Sequence, residues 1–274
     1  MTQPLTATDI GAHYECETQR LPEDLRACWK PMSFDREAQS FAQRSLEQSS
    51  GWLRTQAFGA LKLFVSDYDA YGIVNMYPMH VLSTPQWQEL VGQAAGPRSL
   101  LDVGAGSGGV TARAASLFSE ISVTEASAVL RRRLGTRGFR VLQHDLGLAP
   151  LPDHERFDVV SALNVLDRTA RPRSLLQHMR EALKPGGVLL LAVPLPLSPA
   201  VHVGASTVDP DEPLPRRQKL WEDGAASLVR ELIEPCGLRV TRLCRVPYLC
   251  QGDARRNLYV LDDLIVVCER AKTA

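Results

Sequence analysis

The sequence predicts an α/β protein built on a mostly parallel sheet with helices on both faces, and three observations carry that prediction. From Ser99 onward, apolar runs short enough to be buried strands alternate with stretches of helical periodicity. The first run, Ser99-Leu100-Leu101-Asp102-Val103, ends in an acid and breaks into Gly104-Ala105-Gly106-Ser107-Gly108-Gly109. Two long β-patterned runs, Leu238 to Leu249 and Leu258 to Cys268, close the chain around Cys250-Gln251-Gly252-Asp253 and predict an antiparallel pair.

Taken in order, residues 1–95 have a different texture, with helical spacing and few β-branched runs. Phe34 to Leu46 and Trp52 to Val65 read as amphipathic helices, the second with Leu53, Ala57, Ala60, Leu61 and Phe64 on one face. Asn75-Met76-Tyr77-Pro78 reads as a loop, Ser83-Thr84-Pro85-Gln86 as a capped helix start, and Gly96-Pro97 as the entry to the first strand. We therefore divide the chain into a helical region, 1–95, packing on a catalytic domain, 96–274.

Within that domain the glycines predict a sharp turn into a helix beginning near Gly108, because residues without Cβ atoms let main-chain N–H groups approach a ligand closely. Glu120 to Glu125 forms the second strand. A helix from Ala128 to Leu134, a strand from Phe139 to Leu142 and a loop with His144 and Asp145 follow. Phe157 to Leu163 is a buried strand. A helix from Arg173 to Leu183 stops at the Lys184-Pro185-Gly186-Gly187 turn, which leads into a strand from Val188 to Val193. Pro194 to Lys219 lacks an apolar period and reads as a long mobile loop, and Trp221 to Ile233 as a helix.

Composition narrows the function. With 31 basic and 31 acidic side chains among 274 residues, the formal charge is zero, which offers no electrostatic case for nucleic acid. Arg131-Arg132-Arg133 reads as a solvated helix face. The six cysteines include no Cys-x-x-Cys pair, so no metal site is expected, and a reducing compartment is. No apolar run reaches the roughly eighteen residues of a membrane span. The first residues lack the basic and apolar regions of a secretory signal, and a cytoplasmic monomer is expected.

Gly104-x-Gly106-x-x-Gly109 followed by Glu125 also fits a dinucleotide fingerprint, which would make a nicotinamide-dependent oxidoreductase. Asp102, two residues before the first glycine, would crowd a pyrophosphate and suits an ammonium. The segment resembles motif I of class I methyltransferases, and Glu125 looks like the acid that chelates ribose hydroxyls in that superfamily. The resemblance implies a Rossmann-like seven-stranded sheet with helices on both faces and a helical N-terminal extension. It also implies S-adenosylmethionine as cofactor. Asp145 matches an acid that often bonds the adenine amino group there.

A closer resemblance rests on Leu163-Asn164-Val165-Leu166-Asp167-Arg168, on Arg245 to Asp253, on Tyr259-Val260-Leu261-Asp262-Asp263 and on Ser50-Gly51-Trp52-Leu53. These segments are similar to the DREV family of methyltransferase-like proteins. The resemblance implies methyl transfer to the pros nitrogen of histidine in protein segments of the form His-x-His with a small middle residue. Asn164 and Asp167 match acceptor-site residues, Asn164 also falling on the cofactor side, and Tyr259 matches a tyrosine that contacts the acceptor imidazole. Asp102, Gly104, Gly106 and Glu125 match cofactor positions. Residues 65–84 align poorly and the apolar leader of animal members is missing. A methyltransferase for small molecules or other side chains, and a binding module without turnover, are the alternatives.

The residue types suit the chemistry. Imidazole has a pKa of about 6.5 and mostly carries a free lone pair at neutral pH. The task is to choose which nitrogen faces the methyl group. On this reading Asp167 accepts the tele N–H, fixing the tautomer and facing the charge that grows on the ring. His144 and His154 read as surface residues, Tyr248 as core or cleft lining, and Asp262 and Asp263 as neighbours on opposite strand faces.

Overall fold

A computed structural model of the chain describes residues 10–47, 78–92, 96–203, 206–252 and 256–271. Its sheet contains β1 (Met79–His80), β2 (Ser99–Val103), β3 (Glu120–Thr124), β4 (Arg140–Val141), β5 (Phe157–Leu163), β6 (Leu183–Leu195), β9 (Leu238–Gln251) and β10 (Leu258–Arg270). The order is β1-β9-β10-β6-β5-β2-β3-β4. The sheet thus has eight strands where seven were expected. The addition is β1, two residues pairing Met79 with Cys250 and His80 with Leu249, too short to show any alternation.

β2 pairs in parallel with both β3 and β5, so the chain runs outward to one side and then returns to build the other. A crevice opens at such a reversal, outside the carboxyl ends of β2 and β5. Every residue of β2 is buried, as a central parallel strand covered on both faces must be. β10 runs antiparallel to β6 and β9, which is the predicted closing pair. The described helices are α1 (Glu23–Cys28), α2 (Arg36–Glu47), α3 (Thr84–Val91), α4 (Ala128–Thr136), α5 (Pro172–Glu181) and α6 (Trp221–Leu228), with several 3-10 turns. Leu175, Leu176, Met179 and Leu228 belong to one core cluster with Leu101 and Leu191, while Trp87 and Leu90 belong to another with Leu100 and Leu190. Alternate residues of β2 and β6 feed the two clusters, one on each side of the sheet.

α3 starts as its sequence predicts. The Ser83 hydroxyl accepts the Gln86 N–H at 3.2 Å and the Gln86 side chain accepts the Ser83 N–H at 2.9 Å. Asp35 accepts from the Ala38 N–H and from the Ser83 hydroxyl, tying α2 to α3. The helix expected over 52–65, and most of the 75–78 loop, lie outside the described residues.

Four expectations need correction. The helix after the glycines begins at Thr111, not near Gly108, and is a 3-10 helix to Leu117. Gly108 has φ +76°, and a Cβ there would lie 2.7 Å from Leu134, so it serves as a close-packed corner. The Lys184-Pro185-Gly186-Gly187 turn does not separate two elements but bulges within β6, between the pairs Phe157–Leu183 and Val159–Val188. The 194–219 segment carries a hairpin, β7 (Val201–Val203) with β8 (Ser206–Val208), and buries Leu197 and Val201. The helix from Trp221 is α-helical only to Leu228 and continues as a π turn to Ile233.

His80 carries a pH liability. Its ring is fully buried, stacks on Phe41 with centroids 5.5 Å apart, and has no hydrogen-bond partner among the described residues. Burial, reinforced by the Arg113 charge, pushes its pKa down to about 3. A histidine held neutral supports the fold above its unfolded value of about 6.5 and withdraws that support as pH falls toward 3. This group is expected to remove roughly 1.4 kcal/mol of stability per unit of pH across that window. Thermal denaturation of His80→Leu at a series of pH values should show a shallower acid loss than the parent; an identical slope would clear His80.

Candidate active site

The glycine turn is stitched to the end of β3. The Gly104 and Ala105 N–H groups donate to the Thr124 carbonyl at 3.0 and 3.1 Å. The Glu125 carboxylate accepts the Gly106 N–H on Oε2 and the Ser127 N–H on Oε1, both at 2.9 Å. Each of its oxygens keeps lone-pair capacity for a further donor. Arg131 is not simply solvated, since it donates to the Glu125 carbonyl at 2.9 Å.

Gly104 and Gly106 do different work. Gly104, at φ +70°, comes so close to the loop after β5 that a Cβ would lie 2.7 Å from Val165 Cγ2. Gly106, at φ +56°, has nothing within 4 Å of where its Cβ would be. The first glycine brings the two strand tips together; the second leaves space above the turn for a ligand.

Asp102 lies near the end of the strand that leads into the turn. It is 3 % exposed, and its two oxygens accept the Thr111 and Ser161 hydroxyls at 2.5 and 2.6 Å. Burial pushes its pKa up to about 6 against the lowering effect of those bonds. These two bonds brace β2, β5 and the helix that follows the turn.

The loop after β5 forms the other half. Asn164 has φ 61°, the only positive φ outside glycine among the described residues, and asparagine tolerates that region. Its N–H donates to the Ala192 carbonyl at 2.9 Å, and Arg168 closes the turn onto the Val165 carbonyl at 2.9 Å. The amide Nδ2 donates to Asp263 Oδ2 on β10 at 2.9 Å. Asp167 is 4 % exposed and lies 3.7 Å from the Arg168 guanidinium. Burial raises the carboxyl pKa of Asp167, opposed by Arg168; burial raises that of Asp263 well above the ordinary range, with the Asp167 charge adding to it.

Three oxygens in this cluster, Asn164 Oδ1, Asp167 Oδ1 and Asp263 Oδ1, are buried without a hydrogen-bond partner among the described residues. An unpaired buried acceptor costs about 1–3 kcal/mol. Two of the three lie on the loop after β5 and one on β10. Tyr248, left open in the sequence, is buried on this side with its hydroxyl 2.5 Å from Met79 Sδ, and the charge of Asp263 contributes to raising its pKa beyond the effect of burial.

The remaining candidates are more peripheral. Tyr259 lies four residues before Asp263 on the same side of β10, roughly 13 Å along the strand, with the Arg256 guanidinium 5.7 Å from its ring centre. Asp145 Oδ1 accepts the Gly147 N–H at 2.8 Å, and a Cβ on Gly147 would stand 3.5 Å from Thr169 Oγ1, which sets this turn beside the loop after β5. The 194–219 segment covers the same loop: the Ala200 N–H donates to the Asp167 carbonyl at 2.8 Å and the Glu212 N–H to the Ala170 carbonyl at 3.2 Å. Asp262 points the opposite way from Asp263, to His13 at 2.6 Å and Arg245 at 3.0 Å. His144 bonds the Ala149 carbonyl, and His154 is exposed. Among the described residues, no group of three potential ligands could hold a metal ion, and no helix is long and apolar enough to cross a membrane.

Comparison with known proteins adds three findings. The profile of a family described as DREV methyltransferase matches residues 13–270. Highly reducing polyketide synthase 40 of Fusarium pseudograminearum (strain CS3096) is 37 % identical over 79 residues, which are 27 % of this chain and 3 % of that protein. Among solved structures, a putative methyltransferase (BH2331) from Bacillus halodurans C-125 is similar with a TM-score of 0.48 at 13 % identity, covering 69 % of this chain and 99 % of that one. The glycopeptide N-methyltransferase MtfA gives 0.46 at 18 %, covering 69 % and 88 %.

Proposed function

The chain belongs to the DREV methyltransferase family, and from that premise we propose that it methylates the pros nitrogen of histidine in protein segments of the form His-x-His. It is an S-adenosylmethionine-dependent methyltransferase. The observation that carries the finer reading is the cluster of three unpartnered buried oxygens beside the glycine turn. Unpartnered acceptors such as Asn164 Oδ1 and Asp167 Oδ1 favour a nucleophile that brings an N–H, and a neutral imidazole brings one N–H together with one free lone pair.

When bound, S-adenosylmethionine supplies an electrophilic methyl group carried on a sulfonium. The residues suited to hold it are Glu125, with lone pairs left for ribose hydroxyls, and Gly104 and Gly106, whose turn leaves main chain and open space exposed to it. Asp145 is proposed for the adenine edge. Asp102 contributes by bracing the turn.

On the acceptor side, Asp167 accepts the tele N–H and so selects the tautomer whose lone pair lies on the pros nitrogen. Its carboxylate also faces the positive charge that the ring gains, the kind of preorganised electrostatics that can be worth a few kcal/mol. Asn164 and Tyr259 hold the ring plane.

The test is incubation with labelled S-adenosylmethionine and peptides that contain His-Ala-His or Ala-Ala-Ala. Label is expected in the first peptide only. Label in neither, with the donor shown to bind, would move the acceptor to another class.

A further inference from the structure

We propose, resting on the acceptor reading above, that Asp263 is the positioning residue of the acceptor site: it takes the Nδ2 side of Asn164 and leaves Asn164 Oδ1 as a fixed acceptor, which makes the cleft selective for nucleophiles that bring an N–H.

An asparagine amide presents a donor on one edge and an acceptor on the other, and rotation by half a turn exchanges them. The backbone of Asn164 is already committed, in the left-handed region and bonded to Ala192, so only the side-chain partner decides which edge faces the cleft. That partner is a carboxyl group. Ionised, it accepts from Nδ2 and repels Oδ1. Neutral, it still accepts Nδ2 on its carbonyl oxygen.

The anchor is also rigid. Asp263 is fully buried, and β10 is paired on both sides at that residue, with Pro194 in β6 and Val246 in β9. A side chain held on a doubly paired strand positions a loop residue better than another loop could.

The chemical consequence is selection against the wrong nucleophile. Asn164 Oδ1, Asp167 Oδ1 and Asp263 Oδ1 all lack a partner among the described residues. A carboxylate or phenolate nucleophile would bring its negative charge against the Asp167 carboxylate and has no hydrogen to offer Asn164 Oδ1. With the Asn164 amide turned over, a donor would face the cleft and that discrimination would weaken.

Asp263→Leu and Asp263→Asn test the assignment on the full chain with the His-Ala-His peptide. Leucine fills a similar volume but leaves the Asn164 Nδ2 donor without its partner, so Asp263→Leu is expected to lower the melting temperature, to bind S-adenosylmethionine within about twofold, and to lose at least about tenfold in kcat/KM. Asp263→Asn offers an amide oxygen to the same Nδ2 and is expected to recover to within about threefold of the parent. A kcat/KM for Asp263→Leu within about twofold of the parent would overturn the proposal. So would an Asp263→Asn variant as weak as Asp263→Leu.

Should Asp263→Leu not fold, the parent protein decides. In a nitrogen-labelled sample, identified by its loss in Asn164→Ala, the Asn164 side-chain amide is expected to show two distinct protons protected from exchange with water. Unprotected, averaged protons would contradict the bond to Asp263. If the parent methylates no histidine peptide, the histidine reading fails on that result alone, while the amide spectrum still judges the positioning role.

Discussion

Asp167→Asn is expected to lower turnover more than about tenfold, and Asp167→Ala about a hundredfold, while affinity for S-adenosylmethionine stays within about twofold. The carboxyl group is almost wholly buried, one oxygen has no partner among the described residues, and Arg168 stands at 3.7 Å from the other. Such a group is costly to keep unless a ligand completes it. Asparagine keeps an acceptor but not the negative charge, so it can still select the tautomer while losing the electrostatic part. Alanine loses both. Steady-state turnover on the His-Ala-His peptide, with donor affinity by calorimetry, separates these cases, and unchanged turnover in both variants would remove Asp167 from the reaction. The acid limb of the pH profile should lie above the ordinary carboxylate range, because burial raises the pKa of Asp167. Activity is then lost as pH falls, both through Asp167 and through protonation of the acceptor ring.

Gly104→Ala is expected to cost about 2–6 kcal/mol of stability, from about 1–3 for a left-handed non-glycine backbone and about 1–3 for overpacking. The steric part arises at one contact, the 2.7 Å approach to Val165 Cγ2. Val165→Ala in the Gly104→Ala background should therefore recover the packing share and leave the backbone share. Gly106→Ala should behave in the opposite sense. Its Cβ would meet no protein atom within 4 Å, so the stability loss stays near the backbone cost while donor affinity falls. Urea denaturation and calorimetry on the four proteins read both quantities. Equal stability losses at the two glycines would contradict the division of labour between them.

The parts of the fold legible in the sequence were those governed by local pattern. Phe157–Leu163 is a strand over the predicted bounds because a short, mostly apolar run, interrupted only by Asp158 and Ser161 and covered on both faces, has little other option. The capping box at Ser83 and Gln86 is a four-residue signal and was readable as such. What escaped was set by contacts between distant residues. Glu212 caps α5 by accepting the Arg173 and Ser174 N–H groups, and Leu197 and Val201 anchor the hairpin singly, so the 194–219 segment carries no period to find.

The site divides in the same way. The glycine turn, Glu125, Asn164 and Asp167 stood out by type and by place after strands. Asp263 was visible as one of two adjacent acids, but its bond to Asn164 spans 99 residues and no spacing rule reaches that far. Asp102 stands out by its place two residues before the first glycine. Its actual partners, Thr111 and Ser161, are nine and 59 residues away, and only the folded sheet brings them to it.

The most direct measurement is the position of the methyl group. After reaction of the His-Ala-His peptide, acid hydrolysis and chromatographic separation of the two methylhistidine isomers, followed by mass spectrometry, should show the pros isomer alone. A product methylated on the tele nitrogen, or label on any side chain other than histidine, would contradict an acceptor ring held by Asp167 through its opposite nitrogen.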